Sequence, residues 1–409
     1  MKPIPVRTVL VPLLEPQPDG AAAPGHAGGF ALWRLGFRPF YLLAALFAAL
    51  SVPLWMAQFA GVLPPPSAYP AMLWHAHEMS FGFALAVIVG FLLTAAKVWT
   101  NLPTPTGWRL AGLAALWVAA RVFNYVGPVP AAMLADAAFL MIPMVSLGLV
   151  LLKARSHRNL FVLVVLTAFL VANSLFHLAV AQRVSYEPMN AVHFFVFTVV
   201  MLIGVVGGRV IPSFTANALR GIRQWRHRWL DAAALAVTGA ALLMVLLAAP
   251  PGATIAACAA GALLQAARLI GWNPWEARRK ALLWILHVSY AWIPVGLVLL
   301  ACGVAGKLPM SAGVHALTLG AMGGLIIGMI TRTALGHTAR PLQAGRIEVA
   351  AYLLVQLAVV LRLIPILAEG LAYVPWMIAA ASAWSAAFAL YFVKYAPMLW
   401  APRLDGRDG

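Results

Sequence analysis

The sequence predicts an all-α fold: a bundle of about twelve membrane-spanning helices with both termini in the cytoplasm. Three observations predict it. Hydrophobic residues make up 63% of 409 and charged residues only 10%, against roughly a quarter charged in a soluble chain. Apolar stretches of about twenty residues recur along the chain, each long enough to cross a bilayer. Basic residues fall mostly in the short breaks between these stretches, as in cytoplasmic loops.

Apolar length, interrupted by Pro, Gly or charge, places the spans at 38–60, 72–96, 109–126, 129–153, 159–181, 188–212, 230–249, 253–270, 280–303, 311–332, 347–368 and 371–395. The seventh and eighth are divided at Pro250-Pro251-Gly252, a turn signal between two apolar runs. With a cytoplasmic N-terminus and one crossing per helix, 24 of the 28 Lys and Arg fall on the cytoplasmic side. The remaining four are Arg121, Arg183, Lys307 and Arg362. A wrong helix count would scramble that alternation.

Three regions follow: a flexible cytoplasmic tail over 1–37, the transmembrane domain over 38–395, and a cytoplasmic tail over 396–409. The apolar stretch Val9–Leu14 is too short and too broken by Pro12 for a secretory signal. The longest loop, 213–229, carries Arg220, Arg223, Arg226 and Arg228 among aromatics and reads as an amphipathic stretch at the lipid surface.

The formal net charge of +17 does not mark a nucleic-acid binder, because the basic residues serve topology and meet anionic headgroups. The expected partner is the lipid bilayer. Cys258 and Cys302 stand far apart in apolar segments with no C-x-x-C, which argues against an iron–sulfur cluster or zinc ribbon.

Function then has to reside inside the bundle, where ionisable side chains are costly and mark working sites. Six histidines fall within the spans: His75, His77, His177, His193, His287 and His315. All six are candidate metal ligands, since imidazole suits haem iron and copper. Five of them, all but His287, lie roughly 9–14 Å outside the midplane at 1.5 Å rise per residue. A shared layer is what convergent ligands require. His287 lies roughly 7 Å toward the cytoplasm by the same rise.

The densest motif is Trp74-His75-Ala76-His77-Glu78-Met79. Two residues turn a helix through about 200°, so His75 and His77 point in nearly opposite directions and suit two sites flanking one helix. Glu78, three residues after His75, is expected on His75's face as a proton donor; the plainer role is stabilising a first turn. Asn173, four residues before His177, is a candidate partner orienting a ligand. Arg121 and Asp136, on the outer halves of adjacent spans, are expected to pair, with Asp136 on a proton path as the alternative. Gly320, Gly323, Gly324 and Gly328, following His315, admit a flat macrocycle or, more commonly, close helix packing. Arg38, Arg209 and Arg332 at cytoplasmic helix ends are candidate partners for haem propionates, with positive-inside anchoring as the plainer role.

Five pieces together resemble the NnrS family: RLGFRPFYLLAALFA from Arg34, WHAHEMSFGFALAVIVGFLLTA from Trp74, GGRVIPSFTAN from Gly207, HVSYAWIPVGL from His287, and HALTLGAMGGLIIGMITRTALGHTARPL from His315. They occur in order across nearly the whole chain. The resemblance implies a bacterial inner-membrane protein carrying haem, of b type, and copper, linked to denitrification or nitrosative stress. His75, His77, His287, His315 and Arg332 sit inside the matching motifs. The expectation is therefore a haem- and copper-containing protein handling nitric oxide, with an electron donor the sequence does not identify. The competing expectations are a twelve-helix secondary transporter and a protein that delivers or stores haem or copper.

Overall fold

The computed structural model describes residues 29–66, 69–368 and 370–407, so the tail expected over 1–37 lies largely outside the described residues. Among these there is no strand. Twelve long helices carry the fold: α1 (Phe37–Phe59), α2 (Ala71–Thr100), α3 (Gly107–Val126), α4 (Val129–Lys153), α5 (Phe161–Val180), α6 (Pro188–Ala218), α7 (Arg228–Leu246), α8 (Pro251–Gly271), α9 (Ala281–Val304), α10 (Met310–His337), α11 (Arg346–Leu367) and α12 (Tyr373–Trp400). Eleven are long and apolar enough to cross a membrane; α3, which carries Arg109, Arg121 and Asn124, is the exception. The protein is an all-α, multi-pass membrane bundle.

Proline sets where many helices begin. Pro70, Pro128, Pro250 and Pro309 precede α2, α4, α8 and α10, and Pro188 opens α6. These starts all lie on the face that the charge count makes the outer one. A missing N–H costs nothing at a helix start, where that donor has no intrahelical partner. Proline within a helix is tolerated as well: α6 and α12 continue through Pro212 and Pro397 to Ala218 and Trp400. Both run past their expected ends; the carbonyl that Pro212 frees, Gly208 O, accepts from Arg226 Nη2 of the following loop at 3.3 Å. The loop that follows α6 is not an amphipathic helix. Residues 219–227 are irregular and strapped to the end of α8, with Trp225 N donating to Gly271 O at 2.8 Å.

The first and last helices close the bundle. Arg38, fully buried in the first turn of α1, donates from Nη1 to Leu399 O and Ala401 O, each at 2.8 Å. Ala31 N donates to Trp400 O at 2.7 Å. Inside that ring α2 is the most enclosed helix, with 89% of its most apolar stretch buried against 22% for α7. Gly36 and Gly90 let α1 and α2 touch: a Cβ on either would lie under 3 Å from Leu93 or Phe40.

Two helices contain a π-helical stretch: Glu78–Ala84 in α2 and Ala316–Gly323 in α10. Each begins directly after a histidine, His77 and His315. Widened turns of this kind concentrate at functional sites.

Candidate metal centre

His77 sits seven residues into α2 and is fully buried. Its ring reaches α3, α4 and α5 through a continuous polar cluster. His77 Nδ1 lies 2.9 Å from Glu78 Oε1, and Arg121 Nη1 donates to that same oxygen at 2.7 Å. Arg121 Nη2 donates to Asp136 Oδ1, so the pairing expected between these two is present. Asp136 Oδ2 accepts from Asn124 Nδ2 at 2.8 Å and lies 3.1 Å from His177 Nε2 and 3.5 Å from His77 Nε2. Tyr69 OH donates to Asn124 Oδ1 at 2.8 Å and lies 3.4 Å from His177 Nδ1. Every member is at least nine-tenths buried.

The contacts constrain the ring nitrogens. With the His77 proton on Nδ1, toward the Glu78 carboxylate, Nε2 presents a lone pair that meets Asn173 Nδ2 at 3.2 Å and would have to exchange that contact for a metal. A carboxylate behind a histidine in this way is the usual orienting partner of a metal ligand. Tyr69 spends its proton on Asn124 and can accept from His177 Nδ1. His177 Nε2 faces Asp136 Oδ2 at 3.1 Å, where either the ring's own Nε2–H, in the tautomer that leaves Nδ1 toward Tyr69, or a metal ion joins the two.

The spacing fits a metal. One ligand atom each from His77, Asp136 and His177 lies within 4.8 Å of the other two. Bonds of about 2.0 Å in a tetrahedral site place ligand atoms about 3.3 Å apart. The 3.1 and 3.5 Å separations around Asp136 Oδ2 bracket that value. Two imidazoles and a carboxylate suit first-row transition metals. Asn173 Oδ1 and Glu78 Oε2 are buried without a hydrogen-bond partner, so the site retains unspent acceptors.

Electrostatics support a cation as well. Glu78 and Asp136 contribute two negative charges and Arg121 one positive, leaving one negative charge inside the membrane unless a histidine is protonated or a cation binds. Burial beside Asp136 and Glu78 pushes the Tyr69 phenol well above its ordinary pKa, which keeps it a donor. Gly82 makes the arrangement possible: a Cβ there would lie 2.9 Å from Arg121 Nη1 and 3.1 Å from Glu78 Oε2.

On the opposite side of α2, His75 stacks on Trp55 of α1 with ring centroids 3.9 Å apart. It lies within electrostatic reach of His315 on α10 and Arg362 on α11. Both histidines are half-buried. His315 Nδ1 donates to Ser311 O at 2.7 Å, leaving Nε2 as the free lone pair, and His75 Nδ1 is buried without a partner. The two histidines of the motif thus serve two places flanking one helix.

Other expected residues lie elsewhere. Glu78 does not share His75's side; Arg121, the cation on the His77 side, draws it there. His193 is half-buried and stacks on Phe197 at 5.9 Å, contributing no contact to the His77 cluster among those described. His287 lies in the inner half, where Nε2 meets Thr215 Oγ1 at 2.9 Å. Thr215 gives its own proton to Ile211 O, so His287 donates and its Nδ1 is left without a partner.

The three arginines expected near propionates are far from the outer layer. Arg38 ties α1 to α12, Arg332 lies over the Phe214 ring at 3.7 Å, and Arg209 is exposed on α6. Arg332 is separated from His315 by seventeen residues of α10, about 26 Å at 1.5 Å per residue, beyond the reach of a macrocycle ligated there. The glycines after His315 are filled by packing: Cβ atoms at Gly320 and Gly323 would collide with Trp292 and Trp384.

Sequence reasoning left Tyr69 and Asn124 out of the site, and placed Asp136 in an ion pair without making it a ligand. Asp136 was detectable, as an acid seven residues into a span beside a span holding Arg121. Tyr69 lies in a connecting loop and carries no such signal.

The family described as NnrS protein matches residues 31–403 of the chain. No curated protein matches it.

Proposed function

The chain belongs to the NnrS family, and from that premise we propose that it handles nitric oxide at a histidine-held metal centre in the bacterial inner membrane, with both termini cytoplasmic. The observation that carries the proposal is the buried set His77, Asp136 and His177, whose ligand atoms lie within 4.8 Å of one another.

Copper is the proposed ion there. Among first-row divalent ions copper binds nitrogen and oxygen donors most tightly. His75 and His315 are the proposed ligands of a b-type haem. A buried histidine nitrogen without a partner and a second histidine oriented by its own backbone support this assignment. When bound, the copper would supply an open position for a diatomic ligand and the two-histidine haem an electron to it.

The chain's own residues then have separate tasks. Glu78 is the proposed proton donor, by way of a proton that its buried, unpartnered Oε2 takes up and passes on while His77 and Arg121 hold Oε1. Arg121 keeps both carboxylates in place. Glu78 orients the His77 imidazole from Nδ1 and Tyr69 meets the His177 imidazole at its Nδ1. Apolar surroundings exclude water and admit nitric oxide, which partitions into lipid.

The test is direct. Protein purified in detergent should contain copper and show a Soret band that shifts on mixing with nitric oxide. A colourless, metal-free preparation would overturn the reading and leave a transporter as the better account.

A further inference from the structure

We infer that the polar group of His75, His315 and Arg362 is an anion site whose cation is Arg362. The inference shares two histidines with the reading above, but it rests on the charge balance of Arg362 and not on the metal.

The bundle satisfies its other buried arginines in plain ways. Arg121 pairs with Glu78 and Asp136. Arg268 donates to Asp231 at 2.5 Å, and to Gly204 O and Tyr290 OH at 2.9 Å. Arg38 is tied to backbone carbonyls. Arg362 differs. It is only 8% exposed, its Nη1 has no hydrogen-bond partner, and no carboxylate among the described residues pairs with it, whereas Arg121, whose Nε is likewise unpartnered, is held by two. Its described neighbour is the Tyr373 ring, 5.2 Å from Cζ. A buried cation without a counter-charge is strongly destabilising unless a ligand supplies the charge.

Packing and depth bring this cation to the histidines: Ala312 and Ala316 beside His315 pack on Val359 and Leu363 beside Arg362, and His75 lies within electrostatic reach of both. His315 lies five residues after the start of α10, Arg362 five before the end of α11, and His75 four after the start of α2. At 1.5 Å per residue all three sit about 6–8 Å inside the helix ends on one face. The unpartnered polar atoms here include donors: Arg362 Nη1 and Trp55 Nε1, with His75 Nδ1 beside them. Donors with nothing to donate to call for an acceptor, and a cation calls for a negative one. The ligand chemistry is a carboxylate, either on a bound macrocycle or free as a small acid.

Calorimetric titration of the full-length purified protein with formate, and with neutral formamide as control, tests this together with its macrocycle absorbance per chain. If the carboxylate is free, formate binds and formamide does not. Arg362→Gln then weakens formate by at least about thirty-fold, as expected on losing one partner of a buried charged pair, and Arg362→Lys recovers part of it. If the carboxylate belongs to a macrocycle, wild-type protein ignores formate. Arg362→Gln then loses macrocycle absorbance while retaining the metal at His77. The inference is overturned if Arg362→Gln keeps both macrocycle content and formate response, if it only lowers thermal stability, or if wild-type protein has neither macrocycle nor formate binding. Formate binding without any macrocycle or metal would sink the functional reading and leave the anion site standing.

Discussion

His177 Nε2 and Asp136 Oδ2 stand 3.1 Å apart in the outer half of the bundle, close enough for the ring's own N–H or a metal ion to join them. Each residue's other contacts are spoken for. Tyr69 meets His177 Nδ1, while Arg121 and Asn124 hold Asp136. With His77 the pair forms a group able to hold a cation, and four predictions follow from its surroundings.

Glu78→Gln should weaken metal binding by about 10–100-fold, the usual effect of losing the group that orients a metal-bound histidine. The substitution keeps the side chain's size but replaces a carboxylate that accepts from His77 Nδ1 and Arg121 Nη1. Competition with a chelator of known affinity measures it. Unchanged affinity would mean that Glu78 does not support His77.

Arg121→Met should destabilise the protein by about 3–5 kcal/mol, the cost of breaking a buried ion pair by removing one partner. Glu78 and Asp136 would then face each other without a cation. Thermal unfolding in detergent reads the loss. A bound divalent ion should recover part of it, because the metal replaces the missing charge.

Gly82→Ala should cost about 1–3 kcal/mol, as overpacking of a filled interior does. The added methyl lies against Arg121 Nη1 and Glu78 Oε2, so metal affinity should fall along with stability. Gly112→Ala, inside α3 with nothing within 4 Å of the new methyl, is the control: it should leave metal affinity unchanged and raise stability by up to about 1 kcal/mol.

The Tyr69 phenol should stay protonated above pH 10.0, its ordinary pKa, because burial and then Asp136 and Glu78 oppose the phenolate. A raised pKa adds stability that is fully present below the unfolded value and is lost as pH rises beyond it. Ultraviolet difference titration of wild type against Tyr69→Phe should thus show no phenolate from this residue at pH 10. A phenolate signal near that pH would contradict its described burial.

Much of this was legible in the sequence, for physical reasons. Membrane helices announce themselves because lipid forbids unsatisfied backbone and most charge, so the spans were readable to within a few residues wherever charge or Gly ended them. Pro212 and Pro397 misled, since a proline that breaks a helix in water is tolerated between packed membrane helices. The opposite facing of His75 and His77 followed from helix geometry alone, as did the meeting of His177 with His77's layer. Which neighbours each would find did not. Glu78 changed side because Arg121, forty-three residues on, is its counter-ion, and no local spacing encodes that partner. Depth along a span placed His193 in the right layer but could not say that its helix face turns it onto Phe197. The arginines at Arg38 and Arg332 carried a plain structural role that residue type could not distinguish from ligand binding.

The central claim is that His77, Asp136 and His177 hold one metal ion together. X-ray absorption of the purified, metal-loaded protein tests it most directly, alongside metal analysis of His77→Ala, Asp136→Asn and His177→Ala. The account predicts a first shell containing two imidazoles at about 2.0 Å with one carboxylate oxygen, and loss of that metal in each variant. Metal retained at full occupancy with an unchanged first shell in the His77→Ala and His177→Ala proteins would contradict it.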